Sequence, residues 1–240
     1  MPELATFGET MLRLSPPGDE PVETARTFEV RAAGAESNVA VAAQRLGVAS
    51  TWLSKLPDSP PGRHVRSALR QHGVEPAVVL SEEGRQGTYY LESADQPRGR
   101  TVIYDREGAA VRTATAGELP TDRIERADAF HTTGITPALS ETLATTTADL
   151  LALAREADTT TVFDLNYRSK LWEPDRARKT ITDLLDLVDV FVVADRDAET
   201  VLGLAGSPTE TAERLAADRD FETVVVTRGD EGAIAVHDGE

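Results

Sequence analysis

The chain has 240 residues, 40% of them hydrophobic, which suits one large domain or one domain with a small appendage. It contains no cysteine, and this excludes disulfides, zinc fingers, iron–sulfur sites and cysteine nucleophiles. Its longest apolar runs have five residues, as in Val190–Ala194, whereas a membrane-spanning helix needs roughly 20. The first residues lack the basic and apolar pattern of a secretory signal, so the expected location is the cytoplasm.

The net charge is −16, from 25 basic and 41 acidic residues. This balance argues against binding to nucleic acid backbones or to anionic membranes. Only Lys55, Lys170 and Lys179 are lysines, and the other basic residues are arginines. Such an acidic, lysine-poor composition resembles proteins of salt-loving organisms. We expect folding to depend on salt, because screening relieves the repulsion between like charges.

Short apolar strands alternate with amphipathic helices along the chain, which predicts an α/β fold. The predicted core strands are 4–7, 51–56, 78–80, 127–132, 160–165, 188–193 and 223–227, with 232–237 as a hairpin partner of the last. The predicted helices are 36–46, 61–71, 139–157, 174–187, 195–202 and 208–218, several of them followed by glycine.

Two stretches, about 10–33 and 85–113, break this alternation. They contain strand patterns at Thr27–Arg31, Thr88–Glu92 and Arg100–Tyr104, with a hairpin turn expected near Gln96–Gly99. Strands inserted beside an α/β core often form a lid over a ligand. We therefore expect a single α/β domain over residues 1–240 with a small β-strand lid.

Several common catalytic motifs are absent, including the Walker A loop, G-x-G-x-x-G after the first strand, H-E-x-x-H and G-x-S-x-G. The four histidines are scattered along the chain, and we expect structural roles for them. They are His64, His72, His131 and His237.

A segment of small residues, Ala32–Ala40, precedes the first helix. Small residues let a backbone approach a ligand closely, and Asn38 can bond to sugar hydroxyls. The alternative is a plain glycine turn in which Asn38 only caps the helix.

The same segment, A-G-A-E-S-N-V-A at 33–40, resembles the signature of ribokinase-like (PfkB-type) carbohydrate kinases. Gly8-Glu9 after the first strand and V-V-V-T-R-G-D-E-G-A at 224–233 are similar to that family too. The resemblance implies a mostly parallel, doubly wound sheet flanked by helices, with ATP and Mg²⁺ as cofactors. It places three residues beside the nucleotide: Thr227, Gly229 and Gly232.

One branch of the family, the 2-keto-3-deoxygluconate kinases, is the most similar. Its motifs resemble Tyr104-Asp105-Arg106, T-G-I-T-P-A-L-S at 133–140 and F-D-L-N-Y-R-S-K-L-W-E-P at 163–174. By this resemblance, seven residues line a sugar-acid pocket: Gly34, Asn38, Tyr89, Tyr104, Arg106, Ile135 and Arg168.

The chemistry of the residues agrees with such a substrate. A sugar acid carries a carboxylate, which arginine can hold through two parallel bonds. Arg168 follows a predicted strand, where open α/β sheets bind ligands, and Arg106 lies on the presumed lid. The alternative is that both arginines form surface ion pairs in an acid-rich protein.

By the resemblance, Asp164, Asn166 and Asp197 lie near the phosphate and Mg²⁺. Asp164 and Asn166 flank a strand end and could orient Arg168 or a metal-bound water, or cap the next turn.

The sequence departs from the family pattern in two places. The first is the family's N-x-x-E motif, which corresponds to Ala194 and Asp197 here, so the amide is missing and the carboxylate is shorter. Asp195 or Glu199 could compensate, and we assign no direct metal ligand.

The second departure concerns the catalytic base, an Asp in a G-A-G-D segment of the family. No such segment occurs in this sequence, so we expect the base and the last part of the core beyond residue 240. An incomplete gene model or a natural truncated relic would explain this.

The sequence thus predicts an ATP-dependent kinase of 2-keto-3-deoxygluconate, inactive as these 240 residues alone. The alternatives are a kinase of a neutral sugar, as in fructokinase or ribokinase, and a non-catalytic sugar-acid-binding remnant. We expect homo-oligomers formed through the lid strands, and neither nucleic acid nor membrane partners.

Overall fold

The polypeptide folds into two β-sheets of different size with helices packed on the larger one. The computed structural model describes residues 3–93 and 99–238. The strands are β1 (Glu3–Phe7), β2 (Met11–Ser15), β3 (Glu29–Ala33), β4 (Ala49–Pro57), β5 (Glu75–Ser81), β6 (Thr88–Ser93), β7 (Arg100–Asp105), β8 (Ala129–Thr133), β9 (Thr160–Asp164), β10 (Val190–Ala194), β11 (Thr223–Thr227) and β12 (Ala233–His237). The helices are α1 (Ala35–Arg45), α2 (Pro60–Gln71), α3 (Asp122–Glu125), α4 (Ile135–Ala138), α5 (Glu141–Glu156), α6 (Pro174–Leu185), α7 (Asp195–Asp197) and α8 (Pro208–Asp218).

The large sheet has the strand order β12-β11-β10-β9-β8-β1-β4-β5. All neighbouring pairs are parallel except β11 and β12, which are antiparallel. The chain moves outward from β1 in one direction through β4 and β5, and in the other through β8 to β11. The strand order therefore reverses between β1 and β8, and open α/β sheets bind ligands at such a point. This architecture confirms the predicted fold class.

The small sheet has the order β3-β2-β6-β7 and corresponds to the two inserted stretches. Strand β2 pairs antiparallel with β3 and parallel with β6, and β6 pairs antiparallel with β7. The predicted strand Thr27–Arg31 lies two residues further along, at Glu29–Ala33, and β2 itself was not predicted. The expected turn near Gln96–Gly99 lies outside the described residues, apart from Gly99.

The main apolar core lies between the large sheet and its helices. Each of the four consecutive strands β10, β9, β8 and β1 contributes one fully buried phenylalanine to this core. They are Phe191, Phe163, Phe130 and Phe7. The same strands also bury polar side chains, including Thr6, Thr132 and Thr161. Among the described residues, no helix is both long and apolar enough to cross a lipid bilayer.

Serine caps set several helix starts. The side chain of Ser140 accepts a hydrogen bond from the Leu143 amide, so α5 begins at Glu141 rather than at the predicted Leu139. Residues 135–138, ahead of the cap, form the separate short helix α4. The predicted helix 195–202 is a short α-helical turn followed by a π-helical turn at Ala198–Leu202. Helix α8 and strand β11 have the predicted bounds.

Candidate active site

A cleft of about 540 Å³ opens between the two sheets. Its floor comes from the segments that follow β1, β8 and β9, at the carboxyl ends of these strands and next to the reversal of strand order. Its other walls come from the start of α1 and from the small sheet. The lining residues are Glu9, Met11, Ala33, Gly34, Ala35, Glu36, Asn38, Tyr89, Arg100, Val102, Tyr104, Arg106, Ile135, Arg168, Ser169, Lys170 and Leu171.

All seven residues predicted to line a sugar-acid pocket border this one cleft. Three lie on the small sheet or directly after it, two at the start of α1, one at the start of α4 and one in the loop after β9. They are Tyr89, Tyr104, Arg106, Gly34, Asn38, Ile135 and Arg168. Segments far apart in the sequence therefore meet at one cleft.

The start of α1 lies unusually close to the strand end that it faces. A Cβ atom on Gly34 would come within 2.1 Å of the Glu9 carbonyl oxygen, so only glycine fits here. The Gly34 carbonyl accepts hydrogen bonds from the Asn38 amide at 2.9 Å and from the Ser37 hydroxyl at 3.2 Å. The Asn38 side chain is exposed and borders the cleft, and no side chain caps α1. The local-cap alternative for Asn38 is therefore not what the structure has.

The small sheet contributes aromatic rings and cations. Tyr89 and Tyr104 are cross-strand neighbours whose ring centroids are 5.8 Å apart. The Arg106 guanidinium lies 4.3 Å from the Tyr104 ring centroid, within cation–π range. Lys170, from the loop after β9, donates a hydrogen bond of 2.9 Å to the Val102 carbonyl of β7. This bond joins the small sheet to the large-sheet side of the cleft.

Arg106 forms a buried ion pair with Glu9. The closest nitrogen–oxygen distance is 3.2 Å, and the two residues are only 8% and 4% exposed. Within the described structure, neither Glu9 oxygen nor Nε and Nη1 of Arg106 has a partner with hydrogen-bond geometry. Burial raises the pKa of Glu9, and the charges of Arg106 and Arg112 oppose that rise. Arg106 borders the cleft beside this pair.

A second buried carboxyl group, Glu36, lies at the start of α1. It accepts hydrogen bonds from the hydroxyls of Thr133 at 2.7 Å and Thr136 at 2.8 Å. Burial raises its pKa to about 7, and these two hydrogen bonds counter only part of the rise. The carboxyl group therefore links α1 to the turn between β8 and α4.

The loop after β9 positions Arg168. Asp164 accepts a hydrogen bond from the Asn166 amide at 3.1 Å, so it caps this turn, and Asn166 has a positive φ of 41°. Asp197 accepts from the Tyr167 amide at 3.2 Å and so fastens the loop to α7. The half-buried Arg168 donates to the Tyr167 carbonyl at 3.0 Å. Its other guanidinium nitrogens have no hydrogen bond to the described residues.

Asp164 also has an altered protonation equilibrium. Burial raises its pKa to about 6, the Asn166 amide and Arg168 lower it, and the Asp197 charge raises it further. Of the three roles left open by the sequence, the structure shows capping of the turn together with an electrostatic interaction between Asp164 and Arg168.

A second cleft, of about 400 Å³, lies at the carboxyl ends of β10 and β11. Its lining residues are Ala194, Asp195, Arg196, Pro208, Thr227, Arg228, Gly229 and Glu231. Two of the three predicted nucleotide-side residues, Thr227 and Gly229, border it, whereas Gly232 does not. Its lining contains two arginines and two carboxylates, and Arg228 pairs with Glu231 at 3.8 Å.

The acidic residues near this edge do not form a metal cage. No group of three or more histidine, aspartate or glutamate side chains among residues 3–93 and 99–238 is arranged to hold a metal ion. Asp164 and Asp197 each use one oxygen to accept a backbone hydrogen bond. Mg²⁺ in phosphate-transferring enzymes commonly keeps several waters and is held by substrate phosphates with one or two carboxylates. The residues present fit that second arrangement.

Ten of the seventeen lining residues were not among the predicted site residues. Three of these ten form the buried or bridging contacts described above: Glu9, Glu36 and Lys170. Glu9 and Glu36 lie inside motifs that carry the family resemblance, but the sequence does not reveal that their carboxyl groups are buried. Lys170 carried a usable signal, since it is one of three lysines in the chain and lies two residues after Arg168.

Comparison with known proteins gives matches along the whole chain. The sequence matches the pfkB family of carbohydrate kinases over residues 1–240. A 2-dehydro-3-deoxygalactonokinase of Haloferax volcanii is 61% identical over 237 residues, which cover 99% of this chain and 74% of that protein.

Solved structures have the same fold. The crystal structure of a 2-dehydro-3-deoxygluconokinase from Thermotoga maritima matches with a TM-score of 0.93 and 31% identity, over 100% of this chain and 77% of that one. A fructokinase from Xylella fastidiosa, solved with bound ATP, matches with a TM-score of 0.84 and 21% identity, over 99% of this chain and 75% of that one. Given the match along its full length and these relatives, this chain belongs to the pfkB family of carbohydrate kinases and has its ribokinase-like fold.

Proposed function

We propose that the protein is a kinase of 2-keto-3-deoxy sugar acids that uses ATP and Mg²⁺. The observation that carries the proposal is the pair Arg106 and Arg168, which border one cleft from opposite sides. Arg168 bonds to the Tyr167 carbonyl through one guanidinium nitrogen, and its other nitrogens have no hydrogen bond to the described residues. In a chain with a net charge of −16, a cleft bordered by two guanidinium groups suits an anionic ligand.

Each cleft residue has its own proposed contact with the substrate. Arg168 holds the substrate carboxylate through two parallel hydrogen bonds, and Arg106 closes over it from the small sheet. Tyr89 and Tyr104 cover the carbon chain, while Asn38 bonds to hydroxyls. When bound, ATP supplies the phosphoryl group and Mg²⁺ neutralises its charge. We place the nucleotide phosphates beside Thr227 and Gly229.

The substrate we propose is 2-keto-3-deoxygluconate, also named 2-dehydro-3-deoxygluconate, phosphorylated on its terminal hydroxyl. Its C4 epimer, the galactonate, is the second candidate, because the 61% identical relative carries the name 2-dehydro-3-deoxygalactonokinase. The two sugar acids share the carboxylate and differ in the direction of one hydroxyl. The arginines alone would bind both.

Calorimetric titration of the protein with five compounds tests the proposal. They are both sugar acids, D-fructose, D-ribose and acetate. We expect saturable binding of at least one sugar acid and much weaker binding of the neutral sugars and acetate. Equal or tighter binding of fructose or ribose would support the neutral-sugar alternative and overturn the sugar-acid assignment.

We further propose that a polypeptide of these 240 residues binds the sugar acid but does not phosphorylate it. The supporting observation is that the sequence contains no G-A-G-D segment, so no residue here is assigned as catalytic base. Helix-start amides in such a segment stabilise the transferring phosphate. Magnesium-dependent formation of ADP and sugar-acid phosphate by this polypeptide would contradict the proposal, whereas binding without turnover would support it.

Finally, we propose that two copies associate through their small sheets. Val30, Leu14, Tyr90 and Ile103 are aligned across the four strands and share one face of that sheet. Val30 is 41% exposed and Ile103 is 49% exposed. Leu14 and Tyr90 between them are half-buried. A row of apolar side chains with exposed ends suits contact with another protein surface, and a second copy would cover it.

A further inference from the structure

The carboxyl group of Glu36 bridges two walls of the cleft. Glu36 is 1% exposed, and the two threonines that donate to it are also buried, with Thr133 at 1% and Thr136 at 0% exposure. Both hydroxyls bond to the same oxygen, Oε1, at 2.7 and 2.8 Å. These donors lie 97 and 100 residues further along the chain, so the bridge joins segments that the sequence keeps far apart.

The end of β1 has no side chain where this carboxyl group lies. A Cβ atom on Gly8 would fall 2.2 Å from Cδ of Glu36 and 2.3 Å from its Oε2. These distances are far below a normal contact, so a methyl group at position 8 and the Glu36 carboxyl group cannot occupy this space together. Gly8 is not among the residues with positive φ. Its requirement for glycine is therefore steric rather than conformational.

The bridged elements are the ones that carry proposed substrate contacts. Glu36 belongs to the same first turn of α1 as Asn38, and it follows Gly34 by two residues. On the other side, the Thr133 hydroxyl accepts a hydrogen bond of 3.2 Å from the Ile135 amide. A continuous chain of hydrogen bonds thus runs from Ile135 through Thr133 to Glu36.

We propose that Glu36 is a positioning residue that sets the distance between the start of α1 and the β8–α4 turn, and thereby the fit of the cleft to its sugar acid. It does this through its two threonine bonds and its packing against Gly8. This inference rests on the proposed function, since the sugar acid is the ligand whose binding would respond. Burying a carboxyl group costs free energy unless the group is hydrogen-bonded. Loss of either threonine donor should therefore change the position of the Glu36 side chain.

Glu36 interacts electrostatically with a second carboxyl group. Glu9, which follows β1, is the ionisable group that acts on it electrostatically, and this like charge raises the pKa of Glu36. Glu9 itself pairs with Arg106 at 3.2 Å. The described residues provide no ion pair to Glu36 itself, so its position depends on the two hydroxyls and on the space at Gly8.

Replacing Thr136 with valine tests the bridge with little change of shape. The variant removes one donor to Glu36, and we expect the dissociation constant for the sugar acid to rise about tenfold. Thr147→Val is the matched control: Thr147 is also fully buried, its hydroxyl bonds to the Leu143 carbonyl inside α5, and it lies outside the cleft. We expect this control to lose stability without a change in affinity beyond about twofold.

The outcomes separate this inference from the function on which it rests. If the unmodified protein binds neither sugar acid, the proposed function fails and the inference fails with it. If the unmodified protein binds and Thr136→Val binds equally well, the inference alone is overturned. Equal loss of affinity in Thr136→Val and Thr147→Val would also overturn it, because the effect would then follow general destabilisation.

A double-mutant cycle at Gly8 and Glu36 provides the second test. We expect Gly8→Ala alone to weaken sugar-acid binding about tenfold, because the new methyl group displaces the Glu36 side chain. In a Glu36→Ala background that space is empty, so Gly8→Ala should add no more than about a twofold change. Additive effects in the two backgrounds would show that Glu36 and Gly8 act independently and would contradict the proposal.

Discussion

The guanidinium of Arg106 and the carboxylate of Glu9 lie 3.2 Å apart at the junction of the two sheets. Glu9 comes two residues before β2, and Arg106 directly follows β7. The pair therefore links the segment before β2 to the end of β7. Because both side chains are more than nine-tenths buried, each is the main compensation for the other's charge in a poorly solvated place.

Removing one member of this pair should destabilise the fold strongly. In Arg106→Met, Glu9 stays buried without its cation, and we expect a loss of about 3–5 kcal/mol in the free energy of unfolding. Urea denaturation at neutral pH measures it. Arg63→Met is the control, since Arg63 pairs with Asp58 while both side chains are more than half exposed. That control should cost at most about 1 kcal/mol, and equal losses would contradict the claim.

Stability should also depend on pH through Glu36. Its pKa is raised from 4.5 to about 7 in the folded protein by burial, so the folded state binds more protons than the unfolded state between these values. The free energy of unfolding contributed by this group must therefore fall as pH rises from about 4.5 to 7, by on the order of 3 kcal/mol.

Glu36→Gln isolates this contribution. The amide oxygen can still accept the two threonine hydrogen bonds, but it does not titrate. Asp164, with a pKa raised to about 6, and His131, with a pKa lowered to about 4 by burial, titrate in both proteins and cancel in the difference. We expect the stability of the wild type relative to the variant to decline across this pH window. A difference that stays constant with pH would refute the linkage.

The order of strands and helices could be predicted because each element has its own local pattern. Ser207 and Glu210 form a capping box at the start of α8, and β11 is an unbroken run of β-branched residues, so both have the predicted bounds. Strand β2 was missed because its five residues, Met11–Ser15, precede a segment rich in proline and glycine and show only weak alternation. Its partners, Glu29–Ala33 and Thr88–Ser93, decide its structure.

Cleft residues that could be predicted lie in local sequence motifs, whereas those that were missed depend on contacts between distant segments. Arg168 and Tyr104 stand in motifs whose residue types already point to an anionic ligand. Glu36 gives no such signal, since its role depends on Thr133 and Thr136, about a hundred positions away. A carboxyl group in a sequence reads as solvated surface, and only the packing of β1, α1 and β8 buries this one.

Salt should stabilise the fold through its net charge of −16. Raising potassium chloride from 0.05 M to about 0.5 M shortens the range of electrostatic repulsion to a few ångströms. We expect a clear rise in the thermal unfolding midpoint over this range. Glycerol, which is uncharged, serves as control and should not reproduce the rise at equal concentration. A thermal unfolding midpoint that does not change with salt would show that local ion pairs already neutralise the charge of the acidic residues.

Association through the small sheet can be tested at Ile103. Its side chain is 49% exposed in the apolar row, and Ile103→Lys places a charge where a second copy would pack. We expect the molar mass from light scattering to fall from dimer to monomer. Leu46→Lys is the control, because Leu46 is 84% exposed but lies at the end of α1, away from the small sheet. A monomeric unmodified protein, or equal dimers in both variants, would contradict the proposed contact.

Arg168 provides the most direct test of the substrate class. It is half-buried in the cleft and belongs to the loop that Asp164 and Asp197 fasten. Within residues 3–93 and 99–238 its side chain makes one hydrogen bond, to the Tyr167 carbonyl. Arg168→Ala should leave the sugar-acid carboxylate desolvated and partly unpaired, at a cost of about 2–5 kcal/mol in binding free energy. Arg168→Lys should recover only part of this, because an ammonium group cannot form the planar pair of bonds. Calorimetric titration with the sugar acid measures both variants.

The control for Arg168 is an arginine that lies outside both clefts. Arg214 is exposed on α8 and borders neither cleft, so Arg214→Ala should leave sugar-acid affinity unchanged while altering the net charge equally. This comparison separates a specific contact from general attraction of an anion to positive charge. Nucleotide affinity should remain the same in all three variants, because the second cleft lies at the ends of β10 and β11. If Arg168→Ala binds the sugar acid as tightly as Arg214→Ala does, the carboxylate is held elsewhere. The neutral-sugar alternative would then be the better account of this cleft.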